Sequence, residues 1–309
     1  MNEEPNTIAS GTEKQSYFAR VTKAQWSLVG LALIMAAGMI AYHVVVAGDF
    51  KTTALMFVGI PALLAILFTL LPRPKSPIWM AMKGTTIALC LSSIVLGEGI
   101  PCVVMAAPIF YLAAAIVAAI FERARKSANQ NTVRALVFLP LALLSLEGTH
   151  ELLTFERMQS AAVEKEIALK PEVFEQRLAR SFAFRAEQPL FLRLFTRPVD
   201  MTGSGLTIGA ERRITFSGPG SHGGALRLRV VERKPGTVKF RMISDTTKIA
   251  SWMGWRTARV EWQPAASGKL RVRWSFEYER RLDPAWYFGP LQAYAVELGG
   301  SFLTDNLAH

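Results

Sequence analysis

Residues 269–278 read KLRVRWSFEY, and this stretch decides the fold of the second half of the chain. Apolar and polar side chains alternate through all ten residues, from Lys269 and Leu270 to Glu277 and Tyr278. Successive side chains of a β-strand point to opposite faces of the sheet. One face of this strand would therefore be buried and the other would be wet, which is typical of an antiparallel sheet packed on one side only.

The same alternation recurs upstream and predicts five further strands. Between the first and second strands, Pro171–Ala183 is predicted to be a helix begun by its proline. A long helix over Pro284–Leu307 follows Asp283, a residue suited to capping a helix N-terminus. The five upstream strands are predicted at residues 163–169, 211–216, 226–230, 238–242 and 257–262.

The second half of the chain resembles the START-like superfamily, also called the polyketide cyclase/dehydrase or helix-grip group, over residues 158–309. The resemblance implies an α+β domain in which a curved antiparallel sheet wraps a long C-terminal helix and encloses a cavity. Such a fold usually has seven strands, so the resemblance also implies a seventh strand, which is expected near Val199–Leu206. Catalytic residues differ between branches of this superfamily, so it implies no catalytic set. The stretches that carry the resemblance are VEKEI at 163–167, PEVF at 171–174, TIGA at 207–210 and DPAWY at 283–287.

The first half of the chain has few charges and long apolar runs, which predict a membrane domain over residues 26–153. The polar residues 1–25 before it are predicted to be a disordered cytoplasmic tail. The fifth apolar segment contains Arg134 and Pro140 and could instead lie at the membrane interface. We therefore expect a bundle of four or five transmembrane helices, at about residues 26–46, 53–71, 78–96, 100–121 and 133–148.

The cations of this half predict the orientation of the chain, because cytoplasmic loops of membrane proteins are enriched in Lys and Arg. Five spans would place the C-terminal domain on the outer, periplasmic side of a bacterial inner membrane, and four would leave it in the cytoplasm. In either case the N-terminus is cytoplasmic. The predicted cytoplasmic cations are Lys14, Arg20, Lys23, Arg73, Lys75, Arg123, Arg125, Lys126 and Arg134.

Large aromatic side chains are the candidate ligand-binding residues of the second half. Each one alone is interpreted as core packing, whereas the group is interpreted as the wall of a pocket. Trp252 and Trp255 interrupt the strand alternation and are predicted to lie in a loop, either at the pocket mouth or at the bilayer interface. The aromatic residues expected to face inward are Trp262, Trp274, Phe276, Tyr278 and Tyr294.

A second group of candidates lies at the predicted outer ends of the membrane helices. A cation site or a proton-handling pair is conceivable there, since ionisable groups near a bilayer are often functional. Water reaches helix ends, so we favour the interpretation that these are ordinary interfacial residues. The group consists of His43, Glu98, Cys102, Glu147 and His150.

Several functional classes lack their sequence signals. The chain has no zinc-ligand spacing around Cys90 and Cys102, no HExxH, no Walker loop, no GxSxG and no dinucleotide fingerprint. The net charge of +11 is not accompanied by a nucleic-acid-binding motif. We therefore expect no metal, no cofactor and no nucleic-acid partner.

The sequence thus predicts a membrane-anchored protein that binds a hydrophobic small molecule or a lipid in a cavity of its C-terminal domain. An enzyme of the cyclase/dehydrase or hydrolase kind that uses the same cavity is the alternative. A transporter is a third class, but the predicted helices lack charged residues at their centres, which argues against an ion pathway.

Overall fold

A computed structural model describes residues 22–45, 58–72, 74–96, 100–125, 147, 155–217 and 223–308. The chain divides into two compact units. The first comprises residues 1–50 and 54–99, and the second comprises residues 51–53 and 100–309.

The described residues of the first unit form three helices: α1 (Lys23–Val45), α2 (Ile60–Leu70) and α3 (Pro77–Leu96). Helix α1 begins inside the predicted disordered tail, because Thr22 and Gln25 form a reciprocal cap. The Thr22 N–H donates to Gln25 Oε1 at 3.0 Å, and the Gln25 N–H donates to Thr22 Oγ1 at 3.4 Å. The prediction of disorder is thus wrong for residues 23–25, and residues 1–21 lie outside the described part of the chain.

Helix α2 lies within the predicted second span, of which residues 58–71 are described. Its proline, Pro61, lies in the first turn of the helix, where a missing N–H costs nothing. The 11 residues of α2 extend about 16 Å. Residues 53–57 of the predicted span lie outside the described residues.

Two described helices are long and apolar enough to cross a bilayer, over Lys23–Ala41 and Val103–Arg123. The second lies in α4 (Ile100–Arg125), which belongs to the second unit. Core helices of soluble proteins and signal sequences can have the same length and composition. The predicted bundle of four or five spans is therefore not established, and residues 133–146 and 148 of the fifth span lie outside the described residues.

The second unit contains one eight-stranded sheet in which every neighbouring pair is antiparallel. The strand order is β1-β8-β7-β6-β5-β4-β3-β2, so the first strand pairs with the last. Register shifts interrupt the pairs β3–β4, β5–β6 and β7–β8, and such bulges bend a sheet. The strands are β1 (Met158–Ile167), β2 (Phe182–Ala183), β3 (Arg197–Thr202), β4 (Glu211–Ser217), β5 (Ala225–Lys234), β6 (Thr237–Asp245), β7 (Met253–Pro264) and β8 (Leu270–Arg280).

The alternation that predicted the sheet is confirmed in β8. Every second residue from Leu270 to Arg280 is buried, and the intervening residues are partly or fully exposed. The inner face of β8 lies against the last helix, α6 (Ala285–Ala308), which also packs along β1. A bent antiparallel sheet with a long C-terminal helix against its inner face is the helix-grip architecture that the sequence predicts.

Several boundaries differ from the prediction, and two of the differences have a clear local cause. Helix α5 (Pro171–Ala179) ends four residues earlier than expected, because Phe182 and Ala183 pair with Met201 and Asp200 as strand β2. The predicted seventh strand exists as β3, shifted toward the N-terminus from Val199–Leu206, since Gly203 and Gly205 have positive φ angles of 108° and 79° and end it.

Gly300 sets the distance between α6 and the sheet. A Cβ at this position would lie 2.5 Å from Cγ1 of Val163 and 2.9 Å from Cε2 of Phe276. Its neighbour Gly299 faces open space, with no atom within 4 Å of a Cβ. The helix therefore touches the sheet at one glycine and leaves space beside the adjacent one.

We expect Gly300→Ala to lower the free energy of unfolding by about 1–3 kcal/mol, because the added methyl group overpacks the helix–sheet contact. Gly299→Ala is the matched control and should be neutral or slightly stabilising, since alanine favours a helix over glycine. Thermal unfolding of the two full-length variants measures the difference. Equal melting temperatures would show that α6 does not touch the sheet at Gly300.

Candidate functional site

An apolar cavity of about 200 Å³ lies between the inner face of the sheet and helix α6. It is smaller than the 300–1,000 Å³ typical of small-molecule sites, so it suits a small or slender ligand. Its wall includes Leu228 from β5, Phe240 from β6, and Ala295 and Gly299 from α6. Met105 of α4 also lines it, so the second candidate membrane helix contributes to the cavity wall.

Four of the seven predicted aromatic residues line this cavity: Trp252, Trp255, Trp274 and Phe276. The rings of Trp274 and Phe276 are stacked, with centroids 5.8 Å apart, and Trp255 meets Phe276 edge-on at 5.8 Å. These rings present one continuous aromatic surface to the cavity. Ligand binding by these residues stays a prediction.

The other three predicted aromatic residues lie elsewhere. Trp262 is buried and packs against Phe174, with ring centroids 5.4 Å apart. Tyr278 is fully buried, and desolvation, helped by the charge of Glu297, raises the pKa of its hydroxyl to about 12. Tyr294 is 51% exposed on the outer side of α6, so the inward orientation predicted for it is wrong. The period-2 alternation correctly predicted that the strand residues Trp262 and Tyr278 are buried. Burial alone did not show whether a side chain lines the cavity or packs in the solid core.

The predicted loop around Trp252 and Trp255 is largely regular structure. A short 3-10 helix covers Lys248–Ser251, and strand β7 already begins at Met253, so Trp255 lies within a strand. The backbone carbonyl of Trp252 accepts a hydrogen bond from Nε2 of Gln292 at 2.8 Å. The alternation is interrupted because a register shift separates Trp255 from Thr257.

The polar groups of the cavity wall are few, and several have no hydrogen-bond partner. Arg212 is 1% exposed, and its Nη2 donates to the carbonyls of Leu178 at 3.2 Å and Gly205 at 2.6 Å. Among the described residues, its Nε and Nη1 have no partner, and neither does Nε1 of Trp274 or Oε1 of Gln292. Burial lowers the pKa of Arg212 from its usual value.

The described wall is poor in groups that could perform acid–base or nucleophilic chemistry. Among the described lining residues there is no Asp, Glu, His, Cys, Lys, Ser or Tyr. Within the part of the chain that the structure describes, no three His, Cys, Asp or Glu residues are grouped as metal ligands would be. The cavity therefore offers shape and apolar contact, with two cationic side chains in its described wall, Arg212 and Arg256.

Of the predicted outer-face group, Glu147 is the one residue whose side chain is among the described set. Helix α1 contains His43 and α4 contains Cys102, but their side chains lie outside the described set, as do residues 98 and 150 entirely. Glu147 is described, and its carboxylate is buried. Oε1 accepts a hydrogen bond from Nη2 of Arg280 at 3.0 Å, and Oε2 accepts the backbone N–H of Ala285 at 2.9 Å.

Glu147 thus forms an ion pair and caps α6, and the interpretation of its side chain as a solvated interfacial group is wrong. The reason is Arg280, which is fully buried and also contacts Asp283, with 2.5 Å between Nη1 and Oδ1. Asp283 in turn pairs with Arg157 at 3.1 Å. A buried guanidinium needs such carboxylate partners, because an unpaired buried charge is costly.

Neither buried arginine was predicted from the sequence to lie inside the domain, although both fit the period-2 alternation of their strands. Arg280 continues the buried series of β8 by one more step beyond Tyr278. Arg212 has the same phase as Ile214, the buried residue two positions later in β4. Extending the period-2 pattern to the ends of each strand would have placed both side chains on the inner face.

The outer face of the sheet carries many cations, and several of them are paired across strands. Glu211 accepts from both Arg227 and Arg229 at 2.8 and 2.7 Å, which lowers the pKa of its carboxyl group. Arg256, which also borders the cavity, pairs with Glu279 at 2.6 Å. These arrangements account for much of the basic residue content of the domain.

Comparison with protein-family models finds no match, and comparison with curated proteins finds none either. Solved structures do align with about half of the chain. Protein CV1439 from Chromobacterium violaceum is 15% identical, covers 48% of this chain and 94% of its own length, and has a TM-score of 0.33.

Norcoclaurine synthase from Thalictrum flavum, in complex with dopamine and hydroxybenzaldehyde, is 15% identical over 48% of this chain and 87% of its own, with a TM-score of 0.28. Major latex-like protein 151 from Panax ginseng is 13% identical over 47% and 96%, with a TM-score of 0.29. These scores are low, so the helix-grip assignment depends on the strand order and the helix packing of the chain itself.

The Arg280 network yields a stability prediction. Arg280→Ala should lower the free energy of unfolding by about 3–5 kcal/mol, because it leaves the carboxylate of Glu147 buried without its cation. Arg229→Ala, which removes an exposed pair, is the control and should cost less than about 1 kcal/mol. Equal losses in denaturant unfolding of the two full-length variants would contradict the buried network.

Proposed function

We propose that this protein is a membrane-anchored binding protein that holds a hydrophobic small molecule or lipid in the cavity of its C-terminal domain. The observation that carries the proposal is the apolar cavity itself, bounded by the sheet, by α6 and by Met105 of α4. A cavity whose wall is almost entirely apolar favours a ligand with an apolar body, since burial removes that surface from water.

The composition of the wall supports binding over catalysis. The described lining residues supply mainly aromatic and aliphatic surface, and they include no Asp, Glu, His, Cys, Lys, Ser or Tyr. Their hydroxyl groups are those of Thr196 and Thr257. A ligand held there would be positioned by shape and by contact with rings such as Trp274 and Phe276.

Helix α4 supports the membrane part of the proposal. Large apolar side chains on its surface are exposed, among them Phe110, Leu112 and Phe121, and a lipid environment would remove them from water. The helix is connected to the domain by a hydrogen bond of 2.5 Å, in which the hydroxyl of Tyr287 donates to the carbonyl of Met105. A cavity bordered by such a helix would receive its ligand directly from the bilayer.

Helix α1 gives similar support, because Leu31, Leu33 and Ile34 are 45–71% exposed along it. From the distribution of cations in the sequence we place the N-terminus in the cytoplasm. We place the C-terminal domain on the outer side, as five spans require.

Filling the cavity tests the binding function. Gly299 lines the cavity and has no atom within 4 Å of a Cβ, so Gly299→Phe directs a ring into the ligand space. The full-length protein is purified from membranes and extracted with organic solvent, and the extract is measured by mass spectrometry. We expect the wild type to release a small apolar molecule that Gly299→Phe lacks, or carries at less than about a tenth of that amount.

Gly289 provides the matched control for this experiment. It lies in the same helix, also has open space at its Cβ and does not line the cavity, so Gly289→Phe should retain the molecule. Identical extracts from all three proteins would contradict the proposal. If the wild type converts the recovered molecule into a product of different mass, the protein is an enzyme instead.

The membrane proposal has its own test. The full-length protein should remain in the membrane fraction after alkaline carbonate washing, and a C-terminal tag should be cut by protease added to the outer face of spheroplasts. Release by carbonate would contradict membrane insertion. A tag that is cut only after the membrane is permeabilised would contradict the outward orientation.

A further inference from the structure

Arg212 is the most unusual side chain of the cavity. It projects from the inner face of β4, is 1% exposed and lines the same cavity as Trp274 and Phe240. Arginine stays protonated in proteins, so this side chain places a positive charge in an apolar wall.

The partners of Arg212 are incomplete. Both described hydrogen bonds use Nη2, and both acceptors are neutral carbonyl oxygens, those of Leu178 and Gly205. Nε and Nη1 have no hydrogen-bond partner in the part of the chain that the structure describes. No carboxylate among the described residues lies within 4 Å of the guanidinium, as the described ion pairs of the chain do not include Arg212.

Arg280 shows how the same chain treats a buried arginine that has a purely structural role. It is as deeply buried as Arg212, but it is paired with two carboxylates, from Glu147 and Asp283. The contrast indicates that the counter-charge of Arg212 is absent from the described protein.

A structural role at the end of helix α5 accounts for only part of this geometry. The carbonyl of Leu178 lies in the last turn of α5, where a cation is favoured by the helix dipole. That role uses Nη2 and leaves the Nε and Nη1 donors without acceptors. Unmade hydrogen bonds of a buried charged group are costly, so an acceptor supplied from the cavity would stabilise the folded protein.

We propose that Arg212 binds the carboxylate of an amphipathic monocarboxylic acid, whose apolar chain occupies the cavity. The inference rests on the proposed binding function and specifies its ligand class. The second cation of the described wall, Arg256, is exposed and already paired with Glu279, so Arg212 supplies one unmatched charge. A single carboxylate matches that charge, and a slender hydrocarbon chain matches the small volume of the cavity.

Paired ligands of identical chain length test the assignment. Dodecanoate and its methyl ester share an apolar chain but differ in charge, and their binding to the full-length protein in amphipol is measured by quenching of tryptophan fluorescence with brominated analogues. We expect the wild type to bind the acid roughly 10- to 100-fold more tightly, as a charge-assisted hydrogen bond in a site of low polarity implies. Arg212→Met should bind acid and ester equally, and Arg212→Lys should recover part of the preference.

The stability of the ligand-free protein separates this role from a structural cap. Removing a buried charge that lacks a counter-ion should leave the melting temperature of Arg212→Met unchanged or higher. A purely structural arginine would give a lower melting temperature and no change in the preference between the two ligands. If Arg212→Met does not fold, Arg212→Gln is measured in the same way.

Several results would overturn the inference. Equal affinity of the wild type for acid and ester would show that the carboxylate is not recognised, without contradicting ligand binding in the cavity. A preference for the acid that persists in Arg212→Met would show that another residue recognises the charge. Tighter binding of dodecyl phosphate than of dodecanoate would show that the site recognises a phosphate and not a carboxylate. Binding of none of these ligands to the wild type would contradict the proposed function as well.

Discussion

The contact between α6 and the sheet at Gly300 is the constraint on which the C-terminal domain depends. Because the glycine has no side chain, the helix backbone approaches Val163 of β1 and Phe276 of β8 closely. The bulged sheet bends away from that contact, so β4, β5 and β6 cannot touch the helix everywhere along its length. A tight contact on one side of a bent sheet leaves an apolar gap on the other side, and that gap is the cavity.

The two buried arginines of the C-terminal domain differ in their hydrogen-bond and ion-pair partners. Arg280 lies where α6 begins, and its carboxylate partners connect residue 147, the end of β8 and the first turn of the helix. Arg212 lies at the cavity, with carbonyl partners and unused donors. The charge of Arg280 stabilises the fold through its ion pairs. Arg212 lies where a ligand would supply the acceptors that its unused donors lack. The proposed ligand chemistry follows from that difference.

Much of the fold was accessible from the sequence because alternation is a strong signal in strands with one wet face. The inner residues of β8, the six predicted strands and the long last helix were identified in this way. Strand β2 was missed because two residues are too few to show a period. The arginines were missed because the pattern was interpreted by hydrophobicity, whereas burial follows strand phase. A buried ring borders the cavity or the solid core depending on the position of the helix and the bend of the sheet. No local sequence pattern predicts either of these.

The central claim is that the space between α6 and the sheet holds a ligand. An experimental density map of the full-length protein, purified from its native membrane without added ligand, tests this most directly. We expect elongated density beside Trp274 and Gly299 that protein atoms do not explain, with one end at the guanidinium of Arg212. A map in which side chains such as Leu228, Phe240 and Leu303 close over that space and fill it would contradict the account.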